Sequence, residues 1–359
     1  MKKWNLPVYT VMHFLVDLSC IFYLMGMVYV QLPGPQMRVY AAVLYNACAF
    51  ALPMLLGLAA DLTGHNALVS LLGCAMIVIT YLANPSPWAA AVVIGTGNGL
   101  FHIGGGRQVL QDSDHAGTSR FAPAGIFISS GALGVFLGRF LSGNFRHWTF
   151  TALWILLALC VLILGYAAFR QWSEKTRSTL SRQKVRPTLL AVSLLIFLVV
   201  VIRSYYGFIA VYSWNHGFLT GLLFTLCIVA GKFTGGILAD RLGVKTVTIL
   251  SLAGAGILAL WADKIPVIGC ISIALFNMTM PLTLTLLADV WKALPGFAFG
   301  TLMMALFLGT LPVMVWKVTW LASPAGQLGL CLISLCLLLV AQSPLLARGT
   351  RSTDSREGL

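Results

Sequence analysis

The sequence predicts an all-α polytopic membrane protein with twelve transmembrane helices in two pseudo-symmetric six-helix bundles. The first observation behind this prediction is composition, because hydrophobic residues make up 59% of the 359 residues and charged residues only 9%. A soluble domain of this size needs far more charge. The second is that the chain supplies roughly twelve apolar segments, each near the ~20 residues that one membrane crossing requires. The third is a short motif that occurs once in each half of the chain.

In each copy of the motif, a Gly is followed by Asp four positions later and by a second Gly seven positions later. The first Gly allows two helices to approach closely, the Asp can cap a helix or pair with a cation, and the second Gly permits a turn. Internal repeats are typical of membrane transporters. We expect both copies to lie at cytoplasmic helix ends and to form a gate with Arg241 and Asp289. The motif residues are Gly57, Asp61 and Gly64 in the first copy and Gly236, Asp240 and Gly243 in the second.

The apolar segments divide the chain into an N-terminal bundle at residues 1–168 and a C-terminal bundle at residues 188–346. A basic segment at 169–187 connects them, and we expect it to lie on the cytoplasmic surface against anionic lipid. The polar tail at 347–359 is expected to be cytoplasmic and disordered. Pro and Gly mark the turns between segments. The predicted spans are 7–30, 39–60, 67–83, 88–110, 121–143 and 148–168, then 188–213, 217–238, 246–262, 266–288, 296–318 and 323–346.

The basic residues indicate how the helices are oriented. Lys and Arg concentrate at the N-terminus, in the connecting segment, in the second motif and in the tail, which favours a cytoplasmic location for these regions and for both termini. The net charge of +13 therefore follows from membrane topology and does not indicate nucleic-acid binding. The first apolar segment contains His13 and Asp17 and lacks a small-residue cleavage site, so we interpret it as a retained helix. We expect the plasma membrane, and more narrowly a bacterial inner membrane.

The repeated motif resembles the loop motif of the major facilitator superfamily, which lies between the second and third helices and recurs between the eighth and ninth. This resemblance implies the major facilitator fold and alternating-access transport. A closer resemblance rests on His13-Phe14-Leu15-Val16-Asp17 in the first helix and Phe101-His102 in the fourth, which look like the fosmidomycin-resistance branch of the superfamily. That resemblance favours efflux, although Ile103 occupies the position where the branch commonly has Pro. We expect a monomer whose partners are a small substrate, protons and lipid.

Ionisable side chains at membrane depth are the strongest functional signal, because they are costly and usually face a cavity or a partner. His13 and Asp17 are four residues apart and therefore share one face of the first helix. Burial favours the neutral form of a carboxyl group, so Asp17 can bind and release a proton as a cavity opens to either side. The alternative is a structural ion pair between Asp17 and an Arg of another helix. We predict proton coupling at Asp17, His13 and His102.

Cations at membrane depth outnumber Asp17, which favours an anionic or zwitterionic substrate. Arg203 stands beside Tyr205 and Tyr206, and this combination suits an anionic ligand. The alternative is that Arg203 is held by Asp17 or by carbonyl groups. The candidate substrate contacts are Asn98, Arg107, Arg139, Arg203, Tyr205, Tyr206 and Asn277.

Arg107 follows three consecutive Gly residues at 104–106. These glycines are expected to interrupt the helix and to expose backbone that, with Arg107, can hold a carboxylate or phosphate. The alternative is a tight helix crossing in which Arg107 reaches the cytoplasmic surface. Lys232 precedes the second motif and is expected to brace Asp240.

The sequence also excludes several kinds of site. The eight Cys are scattered through apolar segments, without the spacing of a disulfide framework or a metal site. There is no nucleotide-binding loop and no nucleophile–base constellation, so we predict no metal, no cofactor and no enzymatic activity. The favoured function is proton-coupled secondary transport, with efflux by antiport as one form. The alternatives are an uptake symporter or facilitator, a non-transporting receptor on the same fold, and an intramembrane enzyme with His13 or His102 as its base.

Overall fold

The computed structural model describes residues 5–116, 119–173 and 187–354. These residues form twelve helices, with α1, α2 and α10 each counted as one helix despite a local irregularity. Ten of the twelve are long and apolar enough to cross a membrane; α9 is shorter, and α4 is long but rich in Gly and polar residues. The helices are α1 (Asn5–Gln31), α2 (Gly34–Thr63), α3 (Asn66–Ala83), α4 (Pro87–Ala116), α5 (Ala122–Asn144), α6 (Arg146–Ser173), α7 (Pro187–Ile209), α8 (Phe218–Leu242), α9 (Val244–Ala259), α10 (Pro266–Val290), α11 (Pro295–Trp316) and α12 (Pro324–Asp354).

Helices α1–α6 and α7–α12 pack in the same pattern. In the first half, α1 packs on α5, and α3 packs on α4 and α6; in the second half, α7 packs on α11, and α9 packs on α10 and α12. The two halves meet mainly where α2 contacts α11 and where α5 contacts α8. This repeated arrangement confirms the predicted fold class of two six-helix bundles. We call the end of the molecule that carries Asp61 and Asp240 the motif end.

Apolar side chains cover the outer faces of the bundle. On α6, for example, Leu162 is 68% exposed and Tyr166 is 65% exposed. A contiguous apolar surface of this kind is unfavourable in water and matches the hydrocarbon of a bilayer, inside which each helix satisfies its own backbone groups. Together with the ten apolar helices, this surface identifies the chain as an integral membrane protein.

Helix α2 passes through a π-helical turn at Ala47–Ala51, immediately before Pro53. Pro lacks a backbone N–H and its ring crowds the preceding turn, and a π turn is one way in which a helix absorbs that disturbance. Helices α4 and α11 both pack against this turn. The irregular part of α2 therefore lies at the interface between the two halves.

Helix α4 is continuous through Gly104, Gly105 and Gly106, so the prediction of an interrupted helix is wrong. A Cβ atom on Gly104 would lie 2.6 Å from the carbonyl oxygen of Asn66 on α3, and one on Gly106 would overlap the ring of Phe299 on α11. The glycines therefore allow α4 to pack closely against its neighbours. This packing outweighs the low helix propensity of Gly.

Several helices extend beyond the spans that the sequence predicts. Helix α4 continues to Ala116 instead of 110, and α2 begins at Gly34 instead of 39. Helix α12 continues to Asp354, so part of the predicted disordered tail is helical. The backbone hydrogen bonds of a helix continue into polar sequence, where apolar content no longer marks its limits. Residues 174–186 of the basic connecting segment lie outside the described residues.

Candidate functional site between the two bundles

Two His and one Asp meet in the N-terminal half and form what we call the His–Asp–His cluster. His13 and Asp17 come from α1 and His102 from α4, and all three are buried. Nε2 of His13 lies 3.2 Å from Oδ2 of Asp17 and 2.8 Å from Nε2 of His102. Nε2 of His102 lies 3.7 Å from Oδ1 of Asp17. The structure therefore brings together the three residues that the sequence analysis proposes for proton coupling.

Hydrogen bonds hold each member of the cluster in a defined orientation. Nδ1 of His13 donates to the carbonyl oxygen of Phe127 at 2.7 Å, and Nδ1 of His102 donates to that of Asn98 at 2.9 Å. The side-chain amide of Asn98 donates to Oδ1 of Asp17 at 2.9 Å. The ring of His13 also stacks on that of Phe127, with centroids 4.6 Å apart. Asn98, which the sequence analysis proposes as a substrate contact, thus holds the carboxylate of Asp17 in place.

Two glycines of α5 create the space for the cluster. A Cβ atom on Gly131 would overlap the carboxylate of Asp17 and lie 2.6 Å from Nε2 of His13. One on Gly134 would lie 3.0 Å from the backbone nitrogen of Leu18. Because these positions lack side chains, α1 and α5 approach closely and exclude bulk water from the cluster.

Arg203 of α7 lies on the other side of the interface, in the C-terminal half. Arg203 is only 6% exposed, and its Nη1 atom has no hydrogen-bond partner among the described residues. The ion pairs found in the described part of the chain do not include it. A buried cation without a partner is costly, which makes Arg203 a candidate functional residue in a membrane protein.

Arg203 lines a small cavity between helices of both halves. The solvent-accessible volume of the cavity is about 40 Å³, which is room for only a few water molecules. Apart from Arg203 and Thr283, its lining is apolar, and it comes from α5, α7, α10 and α11. The apolar lining residues are Ile128, Val200, Met280, Leu284, Phe299, Leu302, Met303 and Leu306.

Lys232 of α8 does not brace Asp240, as the sequence analysis expected. Its charge interacts with that of Arg203, which repels it, and with that of Asp17, which attracts it. Lys232 therefore interacts with a charged residue of each half and is not paired with Asp240 among the described ion pairs. The carboxylate of Asp240 instead accepts hydrogen bonds from backbone N–H groups at and just before the start of α5. The sequence does not reveal this, because those groups come from a distant segment of the chain.

Two predicted substrate contacts lie away from the cavity. The guanidinium of Arg107 donates to Oδ1 of Asp61 at 2.8 Å and to the side chain of Asn66, so its charge is already compensated at the motif end. Arg139 is exposed near the opposite end of α5, where its charge acts on Tyr29 of α1.

The remaining predicted contacts belong to the C-terminal half. Tyr206 is fully buried and stacks on Phe276 of α10, with ring centroids 3.9 Å apart. Tyr205 is buried, and the hydroxyls of both tyrosines have no hydrogen-bond partner among the described residues. The side-chain amide of Asn277 donates to the carbonyl of Ile273 in its own helix at 2.9 Å. Tyr206 and Asn277 thus stabilise the packing of this bundle.

At the motif end, Asp61 of α2 caps the first turn of α11 in the opposite half. The backbone N–H of Gly296 donates to Oδ1 at 2.9 Å and that of Phe297 donates to Oδ2 at 2.8 Å. The first N–H groups of a helix lack partners within the helix, and a carboxylate satisfies them and complements the helix dipole. Arg107 contacts the same carboxylate, so Asp61 links three helices.

Asp240 of α8 forms the matching contact with α5. Its carboxylate accepts hydrogen bonds from the backbone N–H groups of Arg120 at 3.0 Å and Ala122 at 2.9 Å, and from the hydroxyl of Ser119 at 2.7 Å. Each motif therefore supplies an Asp that caps a helix of the other half. These reciprocal caps hold the motif end of the interface closed.

An ion pair adds to this closure. The guanidinium of Arg120 pairs with the carboxylate of Asp289 across the two halves, so Asp289, which the sequence analysis proposes as a gate residue, lies at this contact. Arg241, in contrast, is exposed. The cation of the gate pair therefore comes from the start of α5 and not from the second motif.

The glycines of the two motifs complete the closure. A Cβ atom on Gly57 would overlap the carbonyl of Gly296, and one on Gly236 would meet the backbone of Phe121. These first glycines of the motifs therefore allow backbone contact between halves. The second glycines end their helices at positive φ, Gly64 at 76° and Gly243 at 84°.

The two caps are expected to respond differently to loss of charge. Asp61→Asn leaves the cation of Arg107 buried, and breaking a buried pair costs about 3–5 kcal/mol. Asp240 has no such cation, so Asp240→Asn removes mainly a charge–dipole interaction worth roughly 0.3–2 kcal/mol. Thermal unfolding of the purified protein in detergent should therefore show the larger drop in Tm for Asp61→Asn.

The double variant Asp61→Asn with Arg107→Gln is the control for this explanation. It removes the uncompensated cation, and Tm should recover part of the loss. Equal Tm losses in the two single variants, or no recovery in the double variant, would contradict the buried pair as the cause.

Comparison with known proteins supports the fold at low sequence identity. No protein-family model and no curated sequence matches the chain. Among solved structures, the chain is similar to the human organic anion transporter MFSD10 (TETRAN), with a TM-score of 0.67 and 16% identity over 94% of this chain and 99% of that one. It is also similar to the transporter FucP in the outward conformation (TM-score 0.56, 14% identity, 93% and 98% coverage) and to a point variant of FucP, the Escherichia coli fucose:proton symporter (0.58, 13%, 94% and 97%). The chain therefore has the fold of the major facilitator superfamily transporters.

Proposed function

We propose that this protein is a secondary transporter that moves a small organic anion by alternating access and couples this movement to protons. The observation that carries the proposal is Arg203, whose buried Nη1 atom has no hydrogen-bond partner among the described residues and whose side chain lines a cavity between the two halves. A guanidinium presents a planar set of donors that fits a carboxylate or phosphate. Lys232 adds a second positive charge to the same region.

The lining of the cavity supports an organic anion over an inorganic one. Nearly all residues around Arg203 are apolar, and such a lining favours a ligand with an apolar body and one charged group. The cavity has room for only a few water molecules, so the two halves must separate before an organic ligand can enter. The proposed substrate class includes zwitterions, because the carboxylate of Asp17 on the facing half suits the positive group of such a ligand.

The closed motif end supports the mode of transport. Reciprocal caps by Asp61 and Asp240 close one end of the interface, and they consist of contacts between halves that rocking of one bundle can break and re-form. In a transporter with two repeats, such rocking exposes a central site to each side in turn. By the distribution of basic residues, we assign the motif end to the cytoplasm.

The His–Asp–His cluster supports protons as the coupling ion. It combines two imidazoles with a carboxylate in a buried setting, and His is the side chain whose charge changes most readily near neutral pH. FucP is described as a fucose:proton symporter and MFSD10 as an organic anion transporter, and both descriptions are compatible with this assignment. Their low identity to this chain leaves the substrate to experiment.

The test uses the purified protein in proteoliposomes. We would load vesicles with unlabelled benzoate, hexanoate or indole-3-acetate and measure counterflow of the labelled compound from outside. Saturable counterflow is the expected result for at least one of these anions. Binding without counterflow would favour the receptor alternative, and recovery of a chemically altered compound would favour the enzyme alternative. Neither binding nor counterflow of any anion would overturn the proposed substrate class.

A further inference from the structure

We infer that the His–Asp–His cluster holds one shared proton, and that binding of this proton and binding of the organic anion favour each other. The inference rests on the proposed function and adds the sign of its coupling. Because a proton and an anion that stabilise each other cross together, the structure assigns symport to this chain and not exchange. An inward proton gradient then drives uptake of the anion.

The first step is an account of the hydrogen atoms on the two imidazole rings. Nδ1 of His13 faces the carbonyl oxygen of Phe127, and Nδ1 of His102 faces that of Asn98. A carbonyl oxygen only accepts hydrogen bonds, so both Nδ1 atoms carry hydrogen. In the neutral rings both Nε2 atoms therefore present lone pairs, and these two atoms lie 2.8 Å apart.

The second step is that the cluster lacks a hydrogen for this contact. The amide of Asn98 already donates to Asp17, and the carboxylate of Asp17 is itself an acceptor. Two buried lone pairs at hydrogen-bond distance repel each other unless a proton lies between them. A proton on Asp17 would leave the two Nε2 atoms opposed, whereas a proton on either Nε2 forms an N–H···N bond.

The third step is the number of protons. One proton from solution, added to the lone pair of one Nε2 atom, satisfies the contact between His13 and His102. A second would press two imidazolium cations together at the same distance. With Asp17 ionised, the cluster that holds one proton is neutral overall, and the adjacent carboxylate stabilises the imidazolium.

The fourth step concerns the charges around the cluster. On the N-terminal half, Asp17 attracts the proton, and Tyr45 of α2 and Cys20 of α1 lie near Asp17 but are neutral at physiological pH. From the C-terminal half, Lys232 of α8 interacts electrostatically with Asp17 and with Arg203 of α7. Helix α5 contributes glycines at this contact. The two cations therefore oppose the proton across an interface that screens charge poorly.

The sign of coupling follows from these positions. An anion bound to Arg203 and Lys232 neutralises the charges that oppose the proton, so the cluster holds its proton more tightly. By reciprocity, the loaded cluster strengthens anion binding to the same degree. Exchange would require binding of the proton and binding of the anion to oppose each other, but here the anion neutralises the cations that oppose the proton. The same cations disfavour a divalent metal ion in the cluster.

The experiment measures anion affinity and proton movement together in the purified full-length protein. The probe is whichever of benzoate, hexanoate and indole-3-acetate shows counterflow, and each of these carboxylates is fully ionised above neutral pH. It is titrated into weakly buffered protein that contains a pH indicator. We expect proton uptake of up to one per anion, and a Kd that rises about tenfold per pH unit at alkaline pH, as linkage to one proton requires. Proton release on binding, or a Kd that does not depend on pH, would overturn the inference while leaving the transporter proposal intact.

Variants and a spectroscopic readout separate the cluster from other groups. In His13→Gln and His102→Gln, anion binding should persist but lose its pH dependence, whereas His216→Gln, an exposed histidine at the start of α8, should behave like the parent. If the pH dependence survives in both cluster variants, the proton is held elsewhere and the inference fails.

Nuclear magnetic resonance of ¹⁵N-labelled histidine tests the shared proton without any anion. At mildly acidic pH the parent should show one N–H···N pair that disappears in His102→Gln. Two neutral rings protonated only at Nδ1 throughout the range in which the protein is folded would overturn the shared proton. Stoichiometric bound zinc, found by elemental analysis and lost in His102→Gln, would overturn it as well. Failure of all anions to bind would refute the proposed function and leave this measurement to decide on the proton.

Discussion

Arg203→Met will abolish binding of organic anions and leave the protein at least as stable as the parent. Truncation of one member of a buried charge pair costs about 2–5 kcal/mol of binding, which corresponds to a loss of affinity of at least roughly 30-fold. Among the described residues, Nη1 of this guanidinium has no hydrogen-bond partner, and a buried unpaired charge lowers stability. Removal of that charge should therefore raise Tm while it removes binding.

Two other Arg variants serve as controls for this prediction. Arg203→Lys keeps the charge and loses the planar pair of donors, so affinity should fall less than in Arg203→Met. Arg139→Met removes an exposed cation near the end of α5 and should leave affinity unchanged. A lower Tm for Arg203→Met would mean that the guanidinium stabilises the fold, and unchanged affinity would exclude it from the binding site.

Asp17→Asn will abolish accumulation of the anion driven by a pH gradient but will retain counterflow. The amide keeps the shape of the side chain and removes the only negative charge in the His–Asp–His cluster. The shared proton then interacts with Lys232 and Arg203 without a counter-charge, so the cluster should bind it more weakly. The proposed anion contact, Arg203, belongs to the other half, and counterflow of a labelled anion needs no net proton movement.

The measurement compares both activities in the same proteoliposomes, with and without an imposed pH gradient. Asp112→Asn is a matched control, since its carboxylate accepts hydrogen bonds from Asn5 and Gln108 near the motif end and lies outside the cluster. That variant should accumulate anion like the parent. Full accumulation by Asp17→Asn would make Asp17 a structural residue and would move the coupling role to the histidines alone.

The contrast between Arg107 and Arg203 illustrates how far the sequence leads toward the site. Both are cations in apolar sequence, and the cost of burying charge predicts that each has a partner or a function. The structure gives Arg107 a partner in Asp61, whereas Arg203 forms no ion pair within residues 5–116, 119–173 and 187–354. No sequence pattern separates these cases, because the partner of Arg107 is 46 residues away and on another helix.

Lys232 and the glycines of α4 make the same point for position and for local structure. Proximity in sequence favours Asp240 as the partner of Lys232, yet that carboxylate binds the first turn of α5, and Lys232 interacts electrostatically with Asp17 and Arg203. Low helix propensity favours a break at residues 104–106, yet close packing against α3 and α11 keeps α4 continuous. In both cases a contact between distant segments outweighs the local preference.

By itself, the sequence determined the class of the protein, the count of its helices, its division into two related halves and the identity of its costly charges. These properties follow from local physics, since a membrane-spanning segment must be apolar and satisfy its own backbone hydrogen bonds. Only the tertiary structure decided which charges compensate each other, that the two motif Asp residues cap helices of opposite halves, and that the Nε2 atoms of two imidazoles lie at hydrogen-bond distance. Those properties depend on distances between helices far apart in the chain, and the energy of a buried charge depends on what lies within a few ångströms of it.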